Sequence, residues 1–244
     1  MSKKRFLLFL APLLLSFIDT NTKELALGAF VITVPNNWVY VKQQGVDSFV
    51  GIIKISLTNQ ALHFDFSNNG YANSLIPTEQ EYLKKEEWKT GSYFYKVGVI
   101  YTADFNVKNE KVAQMKRLNT TDSTSVHVEA DPSYQTKTNI HLPSEPQKRK
   151  FPKADYIADL TYKDSIIYVP IEIPVQIKSY HIKIDSTGKY IVKTIWPKVT
   201  GKGMTGIYIH SRSSNFNFQM TGVNLSAQNQ ELALKAFKTI TFKK

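Results

Sequence analysis

Between two apolar stretches lies Gly201-Lys202-Gly203-Met204-Thr205-Gly206, a match to the pattern G-x-G-x-x-G. In a dinucleotide site such a run follows a strand and opens a helix, because the pyrophosphate sits on the helix's first N–H groups. Here Pro197 precedes the run and the β-prone Ile207-Tyr208-Ile209 follows it. No helix N-terminus is expected, so the run reads as a turn between two strands. Its glycines still permit close backbone approach, which makes Gly201, Lys202 and Gly203 candidate ligand contacts.

Asp155 and Asp159 offer a second chemistry. At i,i+4 on a strand they share a face, and paired carboxylates can cleave a glycosidic bond, one as acid and the other as base or nucleophile. The competing reading is two solvated charges near Lys148, Arg149, Lys150 and Lys153. His63, His127, His141, His181 and His210 contain no i,i+2 or i,i+4 pair. Metal ligation would need wholly tertiary assembly, so neither a metal nor a cofactor is expected. The absence of cysteine excludes thiolate metal sites, thiol nucleophiles, disulfides and a lipid on an N-terminal cysteine. No G-x-S-x-G elbow is present. Among the aromatics, Trp38, Tyr40 and Trp196 are candidate ligand contacts, alongside Trp88, Tyr71, Tyr93 and Tyr95; the competing role is core packing.

The elements that must position these residues are mostly strands. Phe30, Ile32 and Val34 alternate with Val31 and Thr33 before the turn Pro35-Asn36-Asn37, and Trp38 to Lys42 follows. Asp47 to Leu57 makes a third strand, and Leu62, Phe64 and Phe66 alternate in a fourth. Alternation of this kind marks one packed and one wet face. A helix is expected after Pro77, where Thr78 and Glu81 have capping-box spacing, ending near Lys89. Tyr93 to Val107 reads as strand. Paired strands are expected at Tyr156–Tyr162 and Ile166–Ile173, the second at an edge or irregular because Pro170 and Pro174 lack backbone donors. The clearest hairpin turns at Asp185-Ser186-Thr187-Gly188, between Tyr180 and Trp196. Thr205–Ser211 and Asn215–Thr221 pair next, the latter with Phe216, Phe218 and Met220 on one face and Asn217 and Gln219 on the other. Ser226 is the expected N-cap of a helix whose Leu232, Ala233, Ala236 and Phe237 share a face, and a strand containing Ile240 and Phe242 closes the chain.

Residues 1–22 read as a secretory signal peptide: MSKKR supplies the basic start and residues 6–18 an apolar run too short and too proline-broken for a comfortable span. No small-x-small cleavage triplet stands out, so either the leader is removed or it stays as an anchor. Residues 23–244 are expected to form a single α+β domain, with 119–153 a loop-rich insertion. The chain is therefore expected in the periplasm or outside the cell. The formal charge is +11 with lysines scattered along the chain, which suggests weak contact with anionic surfaces but no specific nucleic-acid binding.

The opening FVITVPNNWVYVKQQG resembles the first hairpin of the PsbP-like superfamily, and the closing LSAQNQELALKAFKTITFKK resembles its terminal helix and strand. GVDSFVGII, FPKADYIADLTYKDS and GKGMTGIYI are similar to stretches of uncharacterised exported bacterial proteins. The resemblance covers roughly residues 29–60 and 205–244. It implies an antiparallel sheet with helices packed against it and a binding or assembly role. The middle of the chain departs from the superfamily, so the fold expected is α+β, dominated by an antiparallel sheet and PsbP-like, with two short helices and a long irregular insertion. It carries over no functional residue.

The function expected is that of an exported, non-enzymatic accessory or binding protein of the cell envelope, contacting a protein, a glycan or a lipid surface. The exposed sheet face and the 201–206 loop are the expected contact region. The alternative is an envelope polysaccharide hydrolase using Asp155 and Asp159.

Overall fold

The strict alternation that opens the chain builds the heart of the core. The computed structural model describes residues 21–243, so the leader segment 1–20 lies outside the described residues. Strand β1 (Thr22–Ala26) pairs antiparallel with β2 (Phe30–Pro35). Phe30, Ile32 and Val34 of β2 are wholly buried, while the residues between them are half-buried. The Asn36–Asn37 turn leads to β3 (Trp38–Lys42), followed by β4 (Phe49–Ile55) and β5 (Ala61–Ser67), each antiparallel to the strand before.

The chain then enters a second compact unit, Ser74–Ile182, distinct from the first unit formed by the flanking segments. Within it, α1 (Glu79–Leu83) starts on the Thr78–Glu81 capping box, with Thr78 N–H donating to the Glu81 carboxylate at 2.7 Å and Glu81 N–H to Thr78 Oγ1 at 3.0 Å. It ends earlier than Lys89, giving way to a short 3₁₀ turn at Glu86–Trp88. The expected strand from Tyr93 to Val107 is mostly irregular. Only β6 (Ile100–Thr102) is extended, between 3₁₀ turns at Gly91–Phe94 and Asp104–Asn106, and α2 (Val107–Arg117) follows. Its sequence VKNEKVAQMKR has too few apolar residues to show a helical stripe, and it buries none. β7 (Val128–Ala130) pairs parallel with β6. β8 (Lys137–His141), α3 (Glu145–Lys150), β9 (Tyr156–Tyr162) and β10 (Ser165–Ile171) follow, with sheet order β10-β9-β8. Pro170 thus sits on an edge strand, where a missing N–H costs no ladder bond. α4 (Val175–Lys178) closes this unit around a core of Leu160, Ile171 and Ile173. Stretch 119–153 lies inside this unit and carries β7, β8 and α3.

β11 (Tyr180–Thr187) brings the chain back to the first unit, followed by β12 (Tyr190–Pro197), β13 (Met204–Ser211), β14 (Asn217–Val223), α5 (Ala227–Phe237) and β15 (Thr241–Phe242). The large sheet has the order β11-β12-β13-β14-β5-β4-β3, and a small sheet has the order β1-β2-β15. The protein is α+β, and its described strand pairs are antiparallel except β6–β7. Among the described residues there are five α-helices rather than the two short ones expected. None is long and apolar enough to cross a membrane.

The two sheets enclose one core. Phe30 meets Phe64 edge-on at 5.0 Å and Phe218 at 4.8 Å, geometries that favour aromatic pairs. Gly51 on β4 is required there: a Cβ would lie 2.5 Å from the Phe64 ring and 2.7 Å from that of Tyr40. α5 packs on β2 and β13. Ser226 Oγ accepts from Asn229 N–H at 3.3 Å, as its N-cap role requires. Gln60, in the β4–β5 turn, braces the same end. It donates to the Asn224 carbonyl at 2.7 Å, and its Oε1 accepts from the Asn229 side chain at 2.7 Å.

Asn217 departs from the alternation pattern's promise of a wet position. It is 3% exposed, and its amide clasps the backbone of Ala72, accepting from N–H at 3.1 Å and donating to C=O at 3.0 Å. Its Nδ2 also lies 3.4 Å from the Tyr208 hydroxyl, so neither end of the buried amide is left without a partner.

Candidate functional site

The core face of the large sheet loses its cover toward one side. Phe218 and Met220 of β14 are wholly buried. Their partners across the ladder are Ile209 and Ile207 of β13, at 4% and 3% exposure. Opposite those, on β12, stand Val192 and Thr194, only half-buried. α5 lies over β13, and eleven helical residues, roughly 10–12 Å wide with side chains, leave β12 and β11 partly uncovered. The result is a cleft of about 720 Å³ in the first unit. Its floor is Val192, Trp196, Ile207 and Ile209, and its walls are Leu234 and Phe237 of α5 with Ile240 and Phe242 beyond it. Volume and lining both fit a small-ligand site, typically ~300–1,000 Å³, mostly apolar with a few placed polar groups.

Those polar groups sit at the rim. Lys183 and Asp185 of β11 form an ion pair at 2.8 Å with side chains 63% and 52% exposed. Lys238, the C-cap of α5, is exposed. Asp185 is the sole carboxylate in the lining, which contains no imidazole.

Of the residues singled out from sequence, only Trp196 lines this cleft. Trp38 is a core side chain at 1% exposure, with no face left for a ligand. Tyr40 stacks on Phe64 at 6.1 Å. Both lie on β3, five strand spacings from β12, about 24 Å across the sheet, so the expected grouping of Trp38, Tyr40 and Trp196 does not form. Gly201 and Gly203 have φ of 79° and 112°, which is why glycine stands at both. Gly203 N–H donates to Asn224 Oδ1 at 2.7 Å, and Asn224 N–H returns a bond to the Gly203 carbonyl at 2.7 Å. β13 begins at Met204; no helix opens inside the motif, and the loop is a clamped strand-to-strand turn. Lys202 is exposed on it. Trp88 belongs to the second unit, its indole N–H bonded to the Tyr82 carbonyl at 3.1 Å.

The carboxylates of the second unit brace its strands. Asp155 accepts from Ile173 N–H at 2.8 Å and pairs with Lys178 at 2.6 Å. Asp159 meets His141 Nε2 at 3.0 Å, while His141 Nδ1 lies 2.8 Å from the Leu142 carbonyl. A carbonyl at one ring nitrogen and a carboxylate beside the other both favour the protonated ring. The Leu142 carbonyl first and Asp159 second raise the His141 pKa above its ordinary value. Asp155, just before β9, and Asp159, within it, are thus held by separate partners, Lys178 and His141. Among the described residues, no group of three or more His, Cys, Asp or Glu side chains is placed to hold a metal ion. Lys148, Arg149 and Lys150 occupy the last turn of α3, where the helix dipole favours cations.

Compared with known proteins, the chain matches no protein-family model and no curated protein.

No sequence pattern announces the cleft. The β12 run YIVKTIW carries no clean alternation, since Ile191 and Ile195 stand between Tyr190, Val192, Thr194 and Trp196, and the more deeply buried side chains are Lys193 and Ile195 on the other face. How far α5 reaches sideways is a tertiary matter, and no local pattern encodes it.

Proposed function

We propose that this chain is an exported, non-enzymatic binding protein of the cell envelope, and that its binding site is the apolar cleft beside α5. The observation that carries the reading is the half-buried row on β12 continuing the core face into a cleft whose charges stay at its rim. Export rests on the basic-then-apolar residues 1–22. A PsbP-like architecture is part of the proposal, supported by β15 pairing with β2, so that the two resembling ends share one core. The scattered lysines give, in addition, a weak attraction to anionic surfaces. The hydrolase alternative has less support, since Asp155 and Asp159 are each engaged in a brace of their own.

Hydrogen exchange on the intact chain, with and without the lipid, glycan and protein fractions of a bacterial envelope, tests the reading. Protection on β12, β13 and α5 is expected. Release of sugar that vanishes in Asp159→Asn, with the cleft amides unchanged, would contradict it.

A further inference from the structure

We propose that the cleft takes a single long acyl chain with a carboxylate head: a free fatty acid. This rests on the binding reading above and narrows it to one ligand class.

Length, lining and charge converge on that class. From Tyr190 to Trp196 the cleft face of β12 runs about 20 Å. One acyl chain spans half of a bilayer's hydrocarbon core, ~15 Å of ~30 Å, so the row holds one chain with room for a head group. Val192, Trp196 and Leu234, half-buried, present apolar surface to the ligand, and the nearly sealed Ile207, Ile209 and Phe237 complete the apolar lining. Besides the rim charges, the only hydroxyls in the lining are those of Tyr190, Thr194 and Thr241, too few to partner the hydroxyls of a sugar or the amides of a peptide buried there, which is unfavourable, whereas a hydrocarbon has no such groups. At the rim, two ammonium groups, Lys183 and Lys238, face one carboxylate, Asp185. Because Asp185 already neutralises Lys183, the rim is left with one net positive charge, complementary to an anionic head and repulsive to a cationic one.

Titration calorimetry of the intact chain tests this with decanoate, dodecanoate, tetradecanoate, hexadecanoate and longer homologues, each below its micelle concentration. Affinity is expected to rise about fourfold per added methylene, as for other buried CH₂ groups, and to level off near hexadecanoate, where the chain fills the row. The alcohol of matched length should bind about fivefold more weakly, and the alkyltrimethylammonium ion more weakly still. Lys238→Glu should weaken the carboxylate about fivefold and leave the alcohol unchanged. Equal binding of carboxylate and ammonium, or affinity independent of chain length, would overturn the fatty-acid assignment. If alcohol and carboxylate bind alike and Val192→Glu abolishes both, the cleft remains the binding site and the carboxylate claim alone falls. If no apolar chain of any head group binds, both fall.

Discussion

Replacing Asn217 by alanine should loosen the first unit more than its modest size suggests. The side chain is one of few buried polar groups there, and it makes two hydrogen bonds to Ala72, 145 residues away in the chain. Ala72 is itself 6% exposed, so the substitution strands a backbone N–H and a C=O together. Each orphaned group costs about 1–3 kcal/mol. Water entering the vacated space recovers part of that, leaving a net loss of roughly 2–4 kcal/mol. For a domain of this size, that loss lowers Tm by about 6–12 °C. Thermal unfolding followed by circular dichroism reads the shift, with His63→Ala, an exposed position on β5, as a control expected within ~0.5 kcal/mol. Asn217→Asp should fall between, because it keeps the acceptor for Ala72 N–H and sets a carboxylate against the carbonyl. A drop below 2 °C for Asn217→Ala would refute the claim that this amide holds the 67–72 segment onto β14.

Gln60→Ala removes the brace at the start of α5 and should cost about 1–2 kcal/mol by urea unfolding; an unchanged midpoint would show that the Ser226 cap alone fixes the helix. Gly51→Val forces side-chain atoms into the space of Phe64 and Tyr40, so a loss of about 1–3 kcal/mol is expected, and a stabilised variant would mean that the rings move aside freely. The His141–Asp159 brace is pH-dependent with a fixed sign. Because the folded pKa is raised, its contribution is full below the ordinary histidine range and fades as pH climbs through the raised value. The stability gap between the native chain and His141→Gln should therefore be wider near pH 6 than near pH 9. An equal gap at both would contradict the imidazolium assignment.

The elements readable in advance are those whose signals are local. β2 was legible because Phe30, Ile32 and Val34 alternate and all three are buried. Thr78 and Ser226 were legible because a cap is a matter of three residues. The β9–β10 and β11–β12 pairs were legible from their apolar runs, but the second turn sits later than expected: β11 runs on through Thr187 and the chain turns at Gly188-Lys189, so Asp185, Ser186 and Thr187 are strand residues. α2 was not, since its helix is exposed and lacks an apolar stripe, and its neighbourhood is tied by distant partners such as Tyr95 O–H donating to Asp131 at 2.8 Å. The site was the least legible part. Trp38, Tyr40 and Trp196 look alike in sequence, and only their strand positions separate a core indole, a stacked phenol and part of a cleft floor.

Trp196 reports directly on the central claim, because it is the one tryptophan lining the cleft; Trp38 is sealed in the core and Trp88 stands in the other unit. Fluorescence quenching by a chain-brominated long-chain fatty acid is therefore the sharpest measurement. Quenching that saturates with ligand, persists in Trp88→Phe and disappears in Trp196→Phe is the predicted result. Quenching that survives Trp196→Phe would place the apolar ligand elsewhere and contradict the account.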